Sequence, residues 1–279
     1  MIGFLNVNKK SGISSAFVVN KVKKLLPKGT KVGHMGTLDP IASGVLPIAI
    51  GRATRLFDLM QNKTKEYIAT FKFGLSTNTF DSTGETAGTT NIIPTKQDIL
   101  SALPSFVGKI SQLPPSFSAK MVNGVRAYQK ARKGENVELK ECEIFIESFE
   151  LIEELDDNTF KFRIVCGSGT YIRSLCRDLA NKLNTLAVMT ELVRTRSGQF
   201  CLENAQDCDK IDINKLLKVE DIFNFAKVDL NLEQLKTLLD GKKLNLKVKD
   251  ATYFGFCENQ LQLIFSVMNG SVCNKIWLR

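Results

Sequence analysis

The sequence predicts an α/β (α+β) fold with a small β-rich C-terminal domain. Three observations carry this. Residues 65–74 alternate apolar and polar like a strand, with Tyr67, Ala69, Phe71 and Phe73 on one face and Ile68, Thr70 and Lys72 on the other. Residues 14–26 and 170–183 instead repeat their apolar positions at the helical period of 3.6. From about Phe223 the texture changes to short strand-like runs, which places a domain boundary near residue 226.

Taken in order, residues 3–8 read as a strand, and Lys9-Lys10-Ser11-Gly12 turns out of it. Ser14 or Ser15 caps a helix whose stripe is Val18, Val19, Val22, Leu25 and Leu26, and Pro27-Lys28-Gly29 stops it. A glycine-rich loop leads into a buried strand at 46–50 and a helix at 53–60. After the 65–74 strand, the Thr-, Ser- and Gly-rich stretch 76–95 reads as one long loop, followed by a helix over 96–103. Strands are predicted over 141–154 and 160–166. Gly167-Ser168-Gly169 then opens a helix with Thr170 as N-cap and Ile172, Leu175, Cys176, Leu179 and Leu183 as its stripe. A strand over 187–194 turns at 194–198. In the C-terminal piece, a helix over 232–239 ends at Asp240-Gly241 before strand-like runs that continue to Trp277. No internal repeat is present.

The 279 residues are 43% hydrophobic and 24% charged, enough for a large core and a second small domain. No apolar run approaches the roughly 20 residues of a membrane span. The first residues carry no cationic leader pattern, so the expected location is the cytoplasm. Seven cysteines show no C-x-x-C spacing, and with a single histidine a zinc site would need scattered thiols, so reduced structural cysteines and no metal are expected. Neither a G-x-S-x-G elbow nor a Walker or Rossmann glycine pattern is present, and no cofactor is expected.

The net charge of +9 favours polyanionic partners. Lys120, Arg126, Lys130, Arg132 and Lys133 crowd between Ala119 and Gly134 without an acid, interleaved with Tyr128 and preceded by Pro114-Pro115. Such a segment is either a solvated basic face or a phosphate-gripping loop, and the density of like charge favours the loop. The one histidine, His34, sits in Gly33-His34-Met35-Gly36-Thr37-Leu38-Asp39-Pro40. Pro40 pushes Asp39 away from helical backbone, so a short carboxylate stands on a turn ahead of an apolar strand. That is the placement of a catalytic group, or of an ordinary solvated turn. Arg173, in the first turn of its helix, opposes the macrodipole and calls for an anionic partner, a surface acid or a catalytic carboxylate. Tyr67 is either core with a satisfied hydroxyl or the phenolic wall of a pocket.

Together these segments resemble one family, the bacterial tRNA pseudouridine-55 synthases of the TruB type. The resemblance rests on Gly33-His34-x-Gly36-x-Leu38-Asp39-Pro40-x-Ala42-x-Gly44-x-Leu46-Pro47, on Pro115-x-x-Ser118-Ala119 with Gly124 and Tyr128 to Arg132, and on Gly169-Thr170-Tyr171-Ile172-Arg173. It implies a mixed, mainly antiparallel sheet of the pseudouridine synthase type flanked by helices. It further implies a catalytic domain over 1–225 with an RNA-gripping insertion at about 112–135, and a PUA-like RNA-binding domain over 226–279. The implied reaction isomerises a uridine of the tRNA T loop by base flipping, with no metal or coenzyme. Asp39 matches the family's nucleophile, Arg173 the arginine that pairs with it, and Tyr67 the tyrosine that stacks on the flipped base and assists proton removal. Tyr171 and Leu192 match positions lining the uridine pocket, and Lys9 a lysine that supports the catalytic loop. Lys120, Arg126, Lys130 and Arg132 fall in the gripping segment. His34 matches a residue that fills the space left by the flipped nucleotide. The chain departs from the family's pattern at Lys10, usually proline, and at Ser168, often lysine.

The expected partner is the tRNA T stem-loop, met by a monomer with no obligate protein partner and no membrane. Two alternatives stand beside this: a non-catalytic tRNA-remodelling RNA binder, and a pseudouridine synthase with another RNA substrate. The guide-RNA-dependent relatives need protein partners and a larger C-terminal domain than this chain carries.

Overall fold

A computed structural model describes residues 1–61, 63–118, 121–122, 125–126 and 139–279, of which 121, 122, 125 and 126 are described by backbone alone. Eighteen strands are found among them: β1 (Gly3–Lys9), β2 (Val32–His34), β3 (Ser43–Ile50), β4 (Lys65–Phe73), β5 (Leu75–Thr77), β6 (Thr86–Thr89), β7 (Gly108–Gln112), β8 (Met121–Val122), β9 (Val125–Arg126), β10 (Cys142–Asp156), β11 (Thr159–Cys166), β12 (Ala187–Ser197), β13 (Phe200–Cys201), β14 (Gln206–Asp207), β15 (Ala226–Asp229), β16 (Ala251–Cys257), β17 (Gln260–Met268) and β18 (Ser271–Trp277). Ten of them form one mixed sheet, ordered β14-β1-β3-β12-β4-β11-β10-β7, with β13 on β12 and β2 on β3. Only β1–β14 and β3–β12 pair in parallel within it, so the sheet is mainly antiparallel. A separate four-stranded sheet, β15-β16-β17-β18, closes the chain.

Burial explains the centre of the large sheet. Tyr67, Ala69, Phe71 and Phe73 of β4 point into a core shared with Phe160, Phe162 and Ile164 of β11 and Met189 and Leu192 of β12. The helix Ile172–Lys182 lays Ile172, Leu175, Cys176, Leu179 and Ala180 on this core. On the other side of β3, Val45 and Ala49 join Phe4, Met35, Leu56 and Met60 in a second apolar cluster, to which Phe254, Phe256 and Ile264 of the C-terminal sheet and Leu278, just after it, also belong. The two sheets thus share one apolar seam, and Arg55 Nη1 adds a 3.0 Å hydrogen bond to the Trp277 carbonyl.

One glycine is required for the sheet to close. Gly44 of β3 lies beside Arg194 of β12 in the parallel register, with φ of +101°. A Cβ there would stand 2.3 Å from the Arg194 carbonyl oxygen. Only a residue without a side chain lets β3 approach β12 so closely.

The structure corrects several sequence expectations. The helix expected over 53–60 is a 3₁₀ run, Gly51–Leu56, followed by a short α-helix, Phe57–Gln61. The expected loop 76–95 contains the β5–β6 hairpin, since its Thr-rich strands pair with each other rather than with the main sheet. Strands β2 and β7 had no prediction; each is short and gains its pairing from a neighbour distant in sequence or across a turn. Of the two serines expected as caps, Ser14 is the one that caps the first helix, Ser15–Lys24. No helix among the described residues is long and apolar enough to cross a membrane.

Candidate active site

Asp39 follows β2 and precedes β3, on a turn closed by a 3.1 Å bond from the Ala42 N–H to the Asp39 carbonyl. Three groups hold that turn by its backbone. Ser15 Oγ both donates to the Leu38 carbonyl, at 2.8 Å, and accepts from the Leu38 N–H, at 2.9 Å. The Gly12 N–H and Lys9 Nζ both donate to the Pro40 carbonyl, at 2.8 and 3.3 Å. Lys9 also donates to the carbonyls of Lys10 and Ile13, at 2.9 and 2.8 Å. Its ammonium is fully buried, and burial pulls its pKa down from 10.5 to about 8, partly offset by the Asp39 charge. Lys9 therefore braces the loop from inside; it does not face a substrate.

Arg194 does the same from β12. Its Nε donates to the Val45 carbonyl at 2.7 Å, Nη2 to Gly36 at 3.1 Å and Nη1 to Thr37 at 3.4 Å. Sequence reasoning missed it, although it shares strand parity with the inward Leu192, which was the available signal. Tyr67 lies opposite Arg194 in the β4–β12 register. Burial pushes its phenol above the ordinary value, against the partial relief of the Arg194 charge, so the ring is neutral at neutral pH.

Arg173 converges on Asp39 from the first turn of the helix Ile172–Lys182. Its Nε lies 2.8 Å from Asp39 Oδ2. The guanidinium is 5% exposed and the carboxylate 34%, so the pair presents a carboxylate at the surface and a cation behind it. Nη1 donates to the Thr79 carbonyl at 3.0 Å and Nη2 to the Phe117 carbonyl at 2.9 Å. A second carboxylate, Asp81 Oδ2, stands 3.6 Å from the same Nε and is buried. Its Oδ1 accepts from the Thr79 and Thr83 hydroxyls and the Thr83 N–H. Asp81 was also missed: in a segment rich in Thr, Ser and Gly, nothing local separates it from a solvated turn residue.

Tyr171 is the N-cap of that helix, and no side chain from its own segment caps it, contrary to the expectation for Thr170. Gln112, from the edge strand β7, supplies what is missing. Its Oε1 accepts from the Tyr171 N–H at 2.9 Å and its Nε2 donates to the Tyr171 carbonyl at 3.2 Å. Ser174 Oγ and Arg177 Nη2 both donate to the Leu113 carbonyl, at 2.9 and 3.0 Å. The segment 112–117 is thereby bonded to the helix at Tyr171, Arg173, Ser174 and Arg177.

Leu192 is buried beside β4 in the same cluster as Tyr67, Leu38 and Ile172. His34 ends β2, paired with Ile48 of β3. Lys120, Lys130 and Arg132 lie outside the described residues, and Arg126 is described only as part of the β8–β9 backbone pairing. At Lys10, the chain ties its loop to β14: Lys10 forms ion pairs with Asp207 and Asp209, and Lys21 joins Asp209 at 2.6 Å. Asp207, Cys208 and Asp209 lie close enough to suggest cation ligands. The two lysines already balance both carboxylates, and their hydrogen bonds hold Asp209 down at about 2. Ser168, the other departure, accepts from the buried Lys65 ammonium at 2.8 Å. Burial and the Arg194 charge lower that lysine to about 8. None of the seven cysteines forms a disulfide, and burial pushes Cys166 up to about 11, which leaves it unreactive.

Comparison with known proteins gives two family models. One, described as TruB family pseudouridylate synthase (N terminal domain), matches residues 23–172; the other, tRNA pseudouridylate synthase B C-terminal domain, matches 173–240. Curated relatives include tRNA pseudouridine synthase B of Clostridium kluyveri, 39% identical over 91% of this chain and 87% of its own length. The protein of that name from Mycoplasma mobile is 38% identical over 97% of this chain and 93% of its own. A solved H/ACA RNP bound to a substrate RNA containing 2'-deoxyuridine superposes with a TM-score of 0.69, covering 99% of this chain and 85% of that one at 22% identity, a likeness of fold. A Cbf5-Nop10-Gar1 complex gives 0.68 at 25% identity, over 95% of this chain and 78% of that one.

Proposed function

The chain belongs to the TruB family of pseudouridylate synthases and is a tRNA pseudouridine synthase, an isomerase; from that premise we propose that it converts uridine-55 of the tRNA T loop, with Asp39 as nucleophile. The observation that carries the proposal is the Arg173–Asp39 pair. A guanidinium behind a partly exposed carboxylate holds one of its oxygens and leaves the other free to act as the nucleophile.

In the reading we favour, the target uridine leaves the stack and enters beside Tyr67, whose neutral ring stacks on the base. The Asp39 carboxylate attacks C1′ of the ribose and the C1′–N1 bond breaks, its electron pair leaving with the uracil. The uracil turns so that C5 faces C1′. The C5–C1′ bond forms as the Asp39–C1′ bond breaks. The C5 proton then departs through the Tyr67 hydroxyl and N1 takes up a proton, so product and substrate have the same atoms. Tyr171 and Leu192 wall the base, His34 fills the vacated space in the RNA, and Lys120, Arg126, Lys130 and Arg132 grip the phosphates. Arg194, Lys9 and Ser15 hold the loop in place so that the carboxylate need not reorganise during reaction. We place the protein in the cytoplasm as a monomer.

The test is tritium release from a T-arm transcript carrying 5-tritiated uridine. Wild type is expected to release it from the position-55 uridine and Asp39→Asn to release none. Release by Asp39→Asn at the wild-type rate would overturn the nucleophile, and RNA binding without release by wild type would favour the binder.

A further inference from the structure

A groove of about 760 Å³ opens along β2. Lys23, Lys28 and Lys31 line it, with Thr54, Phe57 and His34. It contains no acidic residue. The backbone makes it a fixed feature. The helix Ser15–Lys24 ends there, and the Pro27–Thr30 turn closes on bonds from the Thr30 N–H and hydroxyl to the Pro27 carbonyl, at 3.1 and 2.7 Å. The floor is β2, held to β3 through Val32, Gly33 and His34, and continued by the Met35 N–H to the Pro47 carbonyl at 2.8 Å.

Three exposed lysines in one concavity repel one another, and none of them has a carboxylate within ion-pair distance among the described residues. A helix C-terminus accounts for one cation there, Lys23. It does not account for Lys28 and Lys31, which follow the helix. Phe57 is 41% exposed, a large apolar ring left facing solvent at the lip of a cationic channel. Cations spaced along a groove with an aromatic face beside them are the elements that hold an unpaired nucleic-acid strand, phosphates on the amines and a base on the ring. His34, which also lines the groove, ends β2 five residues before Asp39.

We propose that this groove binds the unpaired RNA strand adjoining the target uridine, with phosphates on Lys23, Lys28 and Lys31 and one base stacked on Phe57. It is a second RNA contact surface, separate in sequence from the basic segment 119–134, and it rests on the tRNA reading above. The groove sets how the strand is presented, so it acts on binding and leaves the chemistry to Asp39 and its partners.

The experiment compares wild type with Lys23→Gln/Lys28→Gln/Lys31→Gln, and separately with Phe57→Ala and Phe57→Tyr, using the tritiated T-arm hairpin. The triple variant is expected to raise KM about tenfold or more with kcat within about twofold, and to flatten the dependence of log KM on log salt by about 2, the share of three single-strand phosphate contacts. Phe57→Ala is expected to raise KM about fivefold or more without changing the salt slope, and Phe57→Tyr to restore it. Wild-type KM and salt slope in the triple variant would overturn the proposal. If wild type itself released no tritium, the functional reading would fail instead. Filter binding of the same hairpin to wild type and triple variant would then still decide the groove: equal affinity overturns it, weaker affinity of the variant supports it.

Discussion

Arg173 meets Asp39 across 134 residues of chain, Nε to Oδ2 at 2.8 Å, while its other two nitrogens hold the Thr79 and Phe117 carbonyls. One guanidinium thus joins the candidate nucleophile, the loop that carries Asp81, and the segment that leads into the basic insertion. Its cation is shared by two carboxylates, only one of which reaches the surface.

Asp81→Asn should therefore act on turnover. With the buried carboxylate neutral, Arg173 is balanced by Asp39 alone and holds it more tightly. We expect kcat to fall at least about tenfold with KM for the T-arm hairpin unchanged, and stability to drop by about 1–3 kcal/mol from the buried donors left with a poorer acceptor. Steady-state tritium release and urea titration check this; a wild-type kcat would contradict it.

His34 and Asp39 sit on one loop but differ in task. His34→Ala should impair turnover far less than Asp39→Ala, since a group that fills space in RNA contributes binding and a nucleophile contributes the bond-making step. Single-turnover rates at saturating enzyme separate the two. Equal collapse of both would restore an acid–base role for the imidazole.

Gln112→Leu should loosen the start of the Arg173 helix. The substitution takes from the half-buried Tyr171 N–H the Gln112 acceptor, which costs about 1–3 kcal/mol. We expect a lower urea midpoint and about a tenfold lower kcat. A variant with both values unchanged would show that the amide clamp does not position Arg173.

Lys9 gives a pH dependence of defined sign. Its folded-state pKa of about 8 lies below the 10.5 of the unfolded chain. Below pH 8 both states hold the proton and the cost of burying the cation is fully present. Between 8 and 10.5 the unfolded chain binds a proton that the folded chain has released, so wild type gains stability relative to Lys9→Met as pH rises, by on the order of 3 kcal/mol across the window. Urea titrations of both proteins at either end of that window measure it. A relative loss for wild type over the same range would refute the assignment.

Much of this was legible in the chain. The alternation at 65–74 and the stripes at 14–26 and 170–183 are local signals set by which face is buried, and they produced β4 and the two helices that flank the site. The loop at 33–47 was legible because glycines and prolines constrain backbone directly. The residues that brace it were not. Asp81, Arg194, Gln112 and Lys65 are ordinary polar residues in sequence, and each takes its role from a partner more than 50 residues away or from burial that only packing creates. The sequence by itself determined the kinds of groups available and the rigid turn that presents Asp39. Tertiary structure decided which cation stands behind that carboxylate, which amines lose their water, and that Gly44 must lie against Arg194. Those outcomes depend on distances between strands, and sheet order, not local pattern, sets such distances.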